Sequence, residues 1–299
     1  MEKRDTICGI IDWGLEPYAR VYAWQKELVA ARKAGTVPDL LLLGEHPPVI
    51  TLGRNARREN VRLSLKELKR RGVELHETDR GGDVTYHGPG QLVGYPILDL
   101  AGHRKDVVWY VRSLEEVLIR VTHDFGLEAR RKQAPAGRRP FYTGVWVGSP
   151  DSGSPDSGEE KLAAIGVHIS RWVTSHGFAF NVTTDLSHFD LIVPCGIHDK
   201  GITSLERLRA LQRNPATPVI PSPAEGGARN LLFDKKIPRP ESQPRRAFGT
   251  RDDRAGRELM AAVKAAVVKH FGEVFGRPMT PIAPETWEAW LGAKQAAAS

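Results

Sequence analysis

Leu40-Leu41-Leu42-Leu43-Gly44-Glu45-His46-Pro47-Pro48-Val49-Ile50-Thr51-Leu52 holds two short apolar runs separated by a proline pair. A brief apolar run bounded by turn signals fits a strand buried on both faces, and Pro47-Pro48 can neither continue a helix nor donate to a ladder. The stretch predicts two buried strands joined by a tight corner, with no helix between them. Further strands are expected near residues 73–76, 92–98, 142–147, 162–169 and 177–182, the last two joined across Ser175-His176-Gly177. Helices are fewer. Residues 18–34 place Val21, Trp24, Leu28 and Val29 near one face, residues 64–71 open with a Ser64/Glu67 capping box, and helices are also expected over 106–125 and 254–275. Connected runs of strands do not fit the strict alternation of a doubly wound parallel sheet. The fold class is α/β of the α+β kind, a mixed, largely antiparallel sheet packed with helices.

The 299 residues, 40% of them hydrophobic, are enough to bury a substantial core. One domain is expected over 1–206 plus 251–276, with an insertion at 207–250 and an extension at 277–299. The net charge of +7 is concentrated between Arg207 and Arg254, which hold eleven Lys or Arg against five Asp or Glu, and the remainder averages close to neutral. Seven prolines and no apolar periodicity in that segment indicate a flexible insertion. Without interleaved aromatics it reads as a solvated linker rather than a nucleic-acid-binding tail. No apolar run is long enough for a membrane span and the first twenty residues mix charges with apolar side chains, so a cytoplasmic location is expected. Cys8 and Cys195 are read as free thiols.

Three features carry chemistry. Arg80-Gly81-Gly82-Asp83-Val84-Thr85-Tyr86-His87-Gly88-Pro89-Gly90-Gln91 combines helix and strand breakers with polar side chains, as a ligand cradle would, although an ordinary tight turn has the same composition. It has neither the P-loop ending nor the dinucleotide pattern. Cys195 lies between Pro194 and Gly196, which favour a turn that exposes the thiol, whereas a lone cysteine is most often a small buried hydrophobe. Lys161 opens Lys161-Leu162-Ala163-Ala164-Ile165-Gly166. A lysine there is usually a solvated strand flank, but one beside a thiol would stabilise the thiolate and exchange its proton. Zinc on Cys195-x-x-His198 with His188 or His176 lacks a second ligand pair, so no metal is expected. A Cys–His–Asp hydrolase using His87, His176, His188 or His198 and Asp199 stays open.

Taken in order, the loop at 80–91, Lys161 to Gly166, His176-Gly177-Phe178-Ala179 and Pro194-Cys195-Gly196-Ile197 resemble the lipoyl(octanoyl) transferase family. The similarity runs from Glu45-His46-Pro47-Pro48 to Thr203-Ser204-Leu205 and resumes in the helix ending near Phe275. The resemblance implies a single catalytic acyltransferase domain related to biotin and lipoate protein ligases. It makes Cys195 the acyl-thioester nucleophile and Lys161 its pKa-lowering partner. The implied substrate pocket is lined by Arg80, Gly81, Gly82, Asp83, Val84, Thr85, Tyr86 and His87, by Ala164, Ile165 and Gly166, and by Gly177, Phe178 and Ala179. The acyl group would arrive on the phosphopantetheine of an acyl carrier protein, with no ATP or other cofactor, and leave for a lysine of lipoyl domains, a step of lipoate biosynthesis. A monomer is expected. Because the carrier is acidic, the basic insertion is a candidate for loose capture. The chain departs from the family in a longer tip at 149–160, the insertion and the extension. The rivals are an ATP-dependent lipoate-protein ligase of the same fold, a thiol acyl hydrolase, and a non-catalytic carrier-binding or lipoyl-domain-binding protein.

Overall fold

The computed structural model describes residues 7–132, 142–148, 158–193, 201–213 and 254–292. In chain order the first half comprises β1 (Cys8–Leu15), α1 (Tyr18–Lys33), β2 (Asp39–Glu45), β3 (Val49–Leu52), α2 (Leu65–Arg70), β4 (Glu74–Glu77), β5 (Val84–His87) and β6 (Gln91–Ile97). There follow α3 (Val107–Asp124), β7 (Arg130–Arg131), β8 (Gly144–Val147), β9 (Glu160–Ser170), β10 (Val173–Asn181) and β11 (Gly201–Ile202). The chain continues with α4 (Leu205–Arg213), α5 (Arg254–Phe275), β12 (Met279–Pro281) and α6 (Pro284–Gly292). The main sheet runs β12-β1-β2-β6-β10-β9-β8-β7 with β11 beside β9, and a second sheet runs β4-β3-β5. In the main sheet β1 is parallel to β2 and β12, and β11 to β9, while the other pairs are antiparallel. This is the mixed, largely antiparallel sheet expected from the strand spacing.

Both faces of the main sheet are covered. Leu41 and Leu43 join the core under α3 and α5, whereas Leu40 and Leu42 join the core under α1 and α6. That double burial is why the run has no polar alternation. The second sheet packs Ile50, Val84 and Tyr86 against Leu68 of α2 and against Leu191 and Ile192. The capping box of α2 forms, Ser64 accepting from the Glu67 backbone N–H. Asp106 caps α3 in the same manner, accepting from the Trp109 N–H at 2.9 Å.

The β9–β10 hairpin turns at Arg171-Trp172, with φ of 52° and 66°, and not across Ser175-His176-Gly177. Two left-handed central residues match the twist of the flanking strands, and here they are not glycines, so the usual signal is missing. β1 was also not expected, because Asp12 and the charged residues ahead of it hide a strand that buries Cys8, Ile11 and Trp13. α4 continues past residue 206. Residues 279–292 supply an edge strand and a helix whose Trp287 packs edge-on against Trp24 of α1, ring centroids 5.1 Å apart. Residues 149–157 of the tip and 214–253 of the insertion lie outside the described residues. Among the described residues no helix is long and apolar enough to cross a membrane.

Candidate active site

A cleft opens where the loop before β5 meets the surface of β9 and β10. Arg80, Gly81, Gly82 and Asp83 line it from the loop, and Thr85 and His87 from β5. Side chains alternate along a strand, so Val84 and Tyr86 point the other way into the core of the small sheet and do not line the cleft. Ala164, Ile165 and Gly166 of β9 and Gly177, Phe178 and Ala179 of β10 form the opposite wall, joined by Tyr18, Tyr95 and His176.

Close backbone approach shapes that wall. Gly177 faces Gly166 across the hairpin, and a Cβ on Gly177 would lie 2.2 Å from the Gly94 carbonyl oxygen. The loop is held over it by the Gly81 N–H donating to the Val167 carbonyl at 2.9 Å. Arg80 is buried, and its guanidinium donates to the Thr51 carbonyl at 2.7 Å and to the Thr51 hydroxyl from both Nε and Nη2. Its charge therefore reaches the cleft on a fixed stem.

Burial disfavours the charged form of the imidazoles around the cleft. The Gln91 amide nitrogen donates to the Tyr86 carbonyl and to Asn181, so its oxygen accepts from His87 Nδ1–H at 2.8 Å and leaves Nε2 as an acceptor. Burial, then the neighbouring His46, pushes His87 down to about 3. Burial likewise brings His46 down to about 4; its Nδ1–H donates to the Glu16 carbonyl and its Nε2 accepts from the Tyr95 hydroxyl. His176 donates to Asp79 at 2.7 Å, as does Tyr22 at 2.9 Å, and the His176 hydrogen bond holds the Asp79 carboxyl far below the usual range.

Lys161 is not the solvated flank that strand-end lysines usually are. It is 5% exposed, with Nζ 4.7 Å from the centroid of the Trp146 ring, which pairs with it from β8. It does not line the cleft but lies on the same strand, three residues before Ala164, roughly 10 Å along the chain. The Thr203 N–H donates to the Lys161 carbonyl, and the Asn181 side chain donates to the Thr203 carbonyl. A polar chain thus runs from His87 through Gln91, Asn181 and Thr203 to Lys161. Cys195, with Pro194, Gly196, Ile197, His198 and Asp199, lies outside the described residues. The chain on either side of it is described. The Val193 N–H donates to the Asn60 carbonyl at 2.7 Å, and β11 pairs with Glu160 and Lys161.

Sequence reasoning passed over Tyr18 and Tyr95 as lining residues. Tyr18 is 62 residues or more from the glycine loop, and Tyr95 sits in an apolar strand where nothing local marks a site. Tertiary packing brings them together, the Tyr18 ring stacking on His87 with 6.3 Å between centroids and both tyrosine rings packing against His46.

Residues 17–218 match the lipoyl protein ligase A/B catalytic domain. The octanoyltransferase of Acidobacterium capsulatum is 55% identical over 207 residues, covering 67% of this chain and 80% of that one. The octanoyltransferase of Koribacter versatilis is 47% identical over 255 residues, covering 80% and 93%. Among solved structures, protein Ta0514 of T. acidophilum with bound lipoic acid superposes with a TM-score of 0.61 at 14% identity, covering 98% of this chain and 95% of that one, a likeness of fold alone. The match across the cleft and both of its walls, with relatives of this identity, makes the chain a member of the octanoyltransferase family within the lipoyl protein ligase A/B fold.

Proposed function

We propose that the chain moves an octanoyl or lipoyl group from the phosphopantetheine thioester of an acyl carrier protein to a lysine of a lipoyl domain, through a thioester on Cys195. The observation that carries this reading is the burial of Lys161 on the strand that lines the cleft, beside the strand that returns from Cys195. The curated relatives are named octanoyltransferases. A thiol with an ordinary pKa of about 8.5 is mostly protonated near neutrality, and a neighbouring ammonium favours the thiolate.

The thiolate attacks the carrier thioester carbon, and the tetrahedral adduct collapses with loss of the pantetheine thiolate, which takes a proton from the Lys161 ammonium. One thioester replaces another, so the acyl group stays activated and no ATP is consumed. The acceptor lysine, entering as the free amine, attacks the acyl-enzyme while the Lys161 amine accepts its proton. Collapse forms the amide and releases the Cys195 thiolate beside a restored ammonium. The loop, with Arg80 and neutral His87, and the β9–β10 wall hold the acyl chain between them.

Intact-protein mass spectrometry after mixing the protein with octanoyl carrier protein, without ATP, tests the reading. A hydroxylamine-labile adduct is expected on wild type but not on Cys195→Ser, and it should pass to added lipoyl domain. Modification that appears only with ATP and free acid would establish the ligase chemistry instead. Loss of the adduct to water alone would establish a hydrolase.

A further inference from the structure

Residues 54–71 hold eight Lys or Arg against Glu59 and Glu67, a surplus of six within eighteen residues. The near-neutral average of the chain outside the insertion conceals this, because acidic residues elsewhere offset it. All eight basic side chains are exposed. Among the described residues, Arg70 is the one member of the group with an acidic partner within 4.0 Å, Glu67 at 3.9 Å. The charge is therefore displayed to solvent and not consumed in internal pairs.

The segment is fastened to both chemical elements. The N–H groups of Gly53, Arg54 and Asn55 donate to the carbonyls of Asp83, Arg80 and Gly82, the loop that lines the cleft, and the Arg57 N–H and Asn60 amide donate to the Asp83 carboxylate. At its other side the Arg62 N–H donates to the Leu191 carbonyl, and the Val193 N–H to that of Asn60, two residues before Cys195. Leu68 of α2 anchors the remainder in the core of the small sheet, so the basic side chains stand on a fixed base.

We propose that this face docks the acidic protein that carries the acyl thioester, so that its prosthetic arm enters the cleft beside the loop; this rests on the acyl-transfer reading above. Charges grouped within about one Debye length, ~10 Å at 0.1 M salt, act together to steer an oppositely charged partner. Such rim charges raise the association rate and make it salt-dependent. The absence of any aromatic residue between 54 and 71 argues against single-stranded nucleic acid as the occupant, since that partner is held by base stacking.

The test compares the full-length wild type with Arg58→Glu and the double variant Lys66→Glu/Lys69→Glu, using octanoyl carrier protein and the uncharged donor octanoyl-pantetheine. With carrier at low salt, kcat/KM is expected to fall about tenfold in the variants, mainly through KM, and its salt dependence to flatten. With octanoyl-pantetheine the variants should match wild type, as should Lys105→Glu, outside the patch, with either donor. Variants indistinguishable from wild type with carrier would overturn the docking role while leaving acyl transfer intact. A raised KM for lipoyl domain alone would assign the face to the acceptor, and weakened binding of a short DNA duplex with unchanged carrier kinetics would assign it to nucleic acid, each overturning the proposal. A wild type that forms no adduct from carrier would remove the transfer reading itself, and this role with it.

Discussion

The two sheets bury similar side chains but present different things to the cleft. The main sheet is covered by helices on both faces, so Leu40 to Leu43 of β2 are buried without alternation, and it offers the cleft a wall of glycine, alanine, Ile165 and Phe178, with the buried Lys161 further along β9 outside the lining. The small sheet is covered by one short helix and a loop, and it offers backbone N–H groups, a tethered guanidinium and a neutral imidazole. The buried cation and the close backbone packing belong to the part that cannot move without disturbing a core. The polar contacts belong to the part with the smaller core.

Removing the cation from the rigid wall should have the largest effect. Lys161→Ala is expected to lower turnover by about 10³-fold, the scale of losing a general acid–base group. Lys161→Arg sharpens the assignment. A guanidinium keeps a cation near Trp146 and can favour the thiolate, yet it does not give up its proton. Acyl-enzyme should still form while transfer to the amine fails. Single-turnover measurements of the two half-reactions check both, and an alanine variant with near-normal rates would sink the role of Lys161.

Packing distinguishes the walls next. On the main sheet, Gly177→Ala forces a methyl group to 2.2 Å from the Gly94 carbonyl oxygen and 2.6 Å from Pro96, and should cost about 2–3 kcal/mol. On the loop, Gly81→Ala meets only the Val167 carbonyl at 3.2 Å, and should cost under ~1 kcal/mol while raising KM. Urea unfolding of both variants tests the difference, and equal losses would mean the loop is as tightly packed as the sheet.

Much of this division was legible in the sequence, for identifiable reasons. The unbroken leucines of β2 reported burial on two faces, and Ser64 with Glu67 reported the start of α2. The glycine loop was visible as a group because its residues are consecutive. Alternation then sent Val84 and Tyr86 into a core, a split that composition alone does not reveal. Tyr18 and Tyr95 reach the cleft only through tertiary folding, and the hairpin turn at Arg171-Trp172 uses residues that carry no turn signature. The basic segment at 54–71 was hidden by averaging charge over most of the chain.

The seam between the sheets should be sensitive to acid. His46 lies in the connection from β2 to β3 and His87 at the end of β5, and burial holds both below their ordinary value of 6.5, at about 4 and about 3. A histidine depressed in the folded state takes up its proton more readily when unfolded. Stability is therefore fully present above the unfolded pKa and falls as pH drops below about 6.5 towards the folded values. Between pH 7 and pH 5 each should cost roughly 1–2 kcal/mol. Urea unfolding at the two pH values measures the sum, and His46→Gln should remove about half of the pH dependence. An unchanged slope in that variant would show that His46 does not remain neutral at the seam.

The smallest effect is expected at the thiol the main sheet encloses. Cys8 is fully buried in β1, beside the β12 edge, and burial followed by the nearby Asp39 carboxylate pushes its pKa well above the thiol range. A thiol so placed cannot become a thiolate and lacks access to reagent, so it behaves as a small hydrophobe. Native protein treated with iodoacetamide should be alkylated at Cys195 and spared at Cys8 until denaturant is added. Cys8→Ala should leave turnover within about twofold, with a stability loss near 1 kcal/mol from the vacated volume. Labelling of Cys8 in native protein at the rate of an exposed thiol would mean that β12 and α5 do not close over β1, and the contrast between a sealed main sheet and an open small one would fail at that edge.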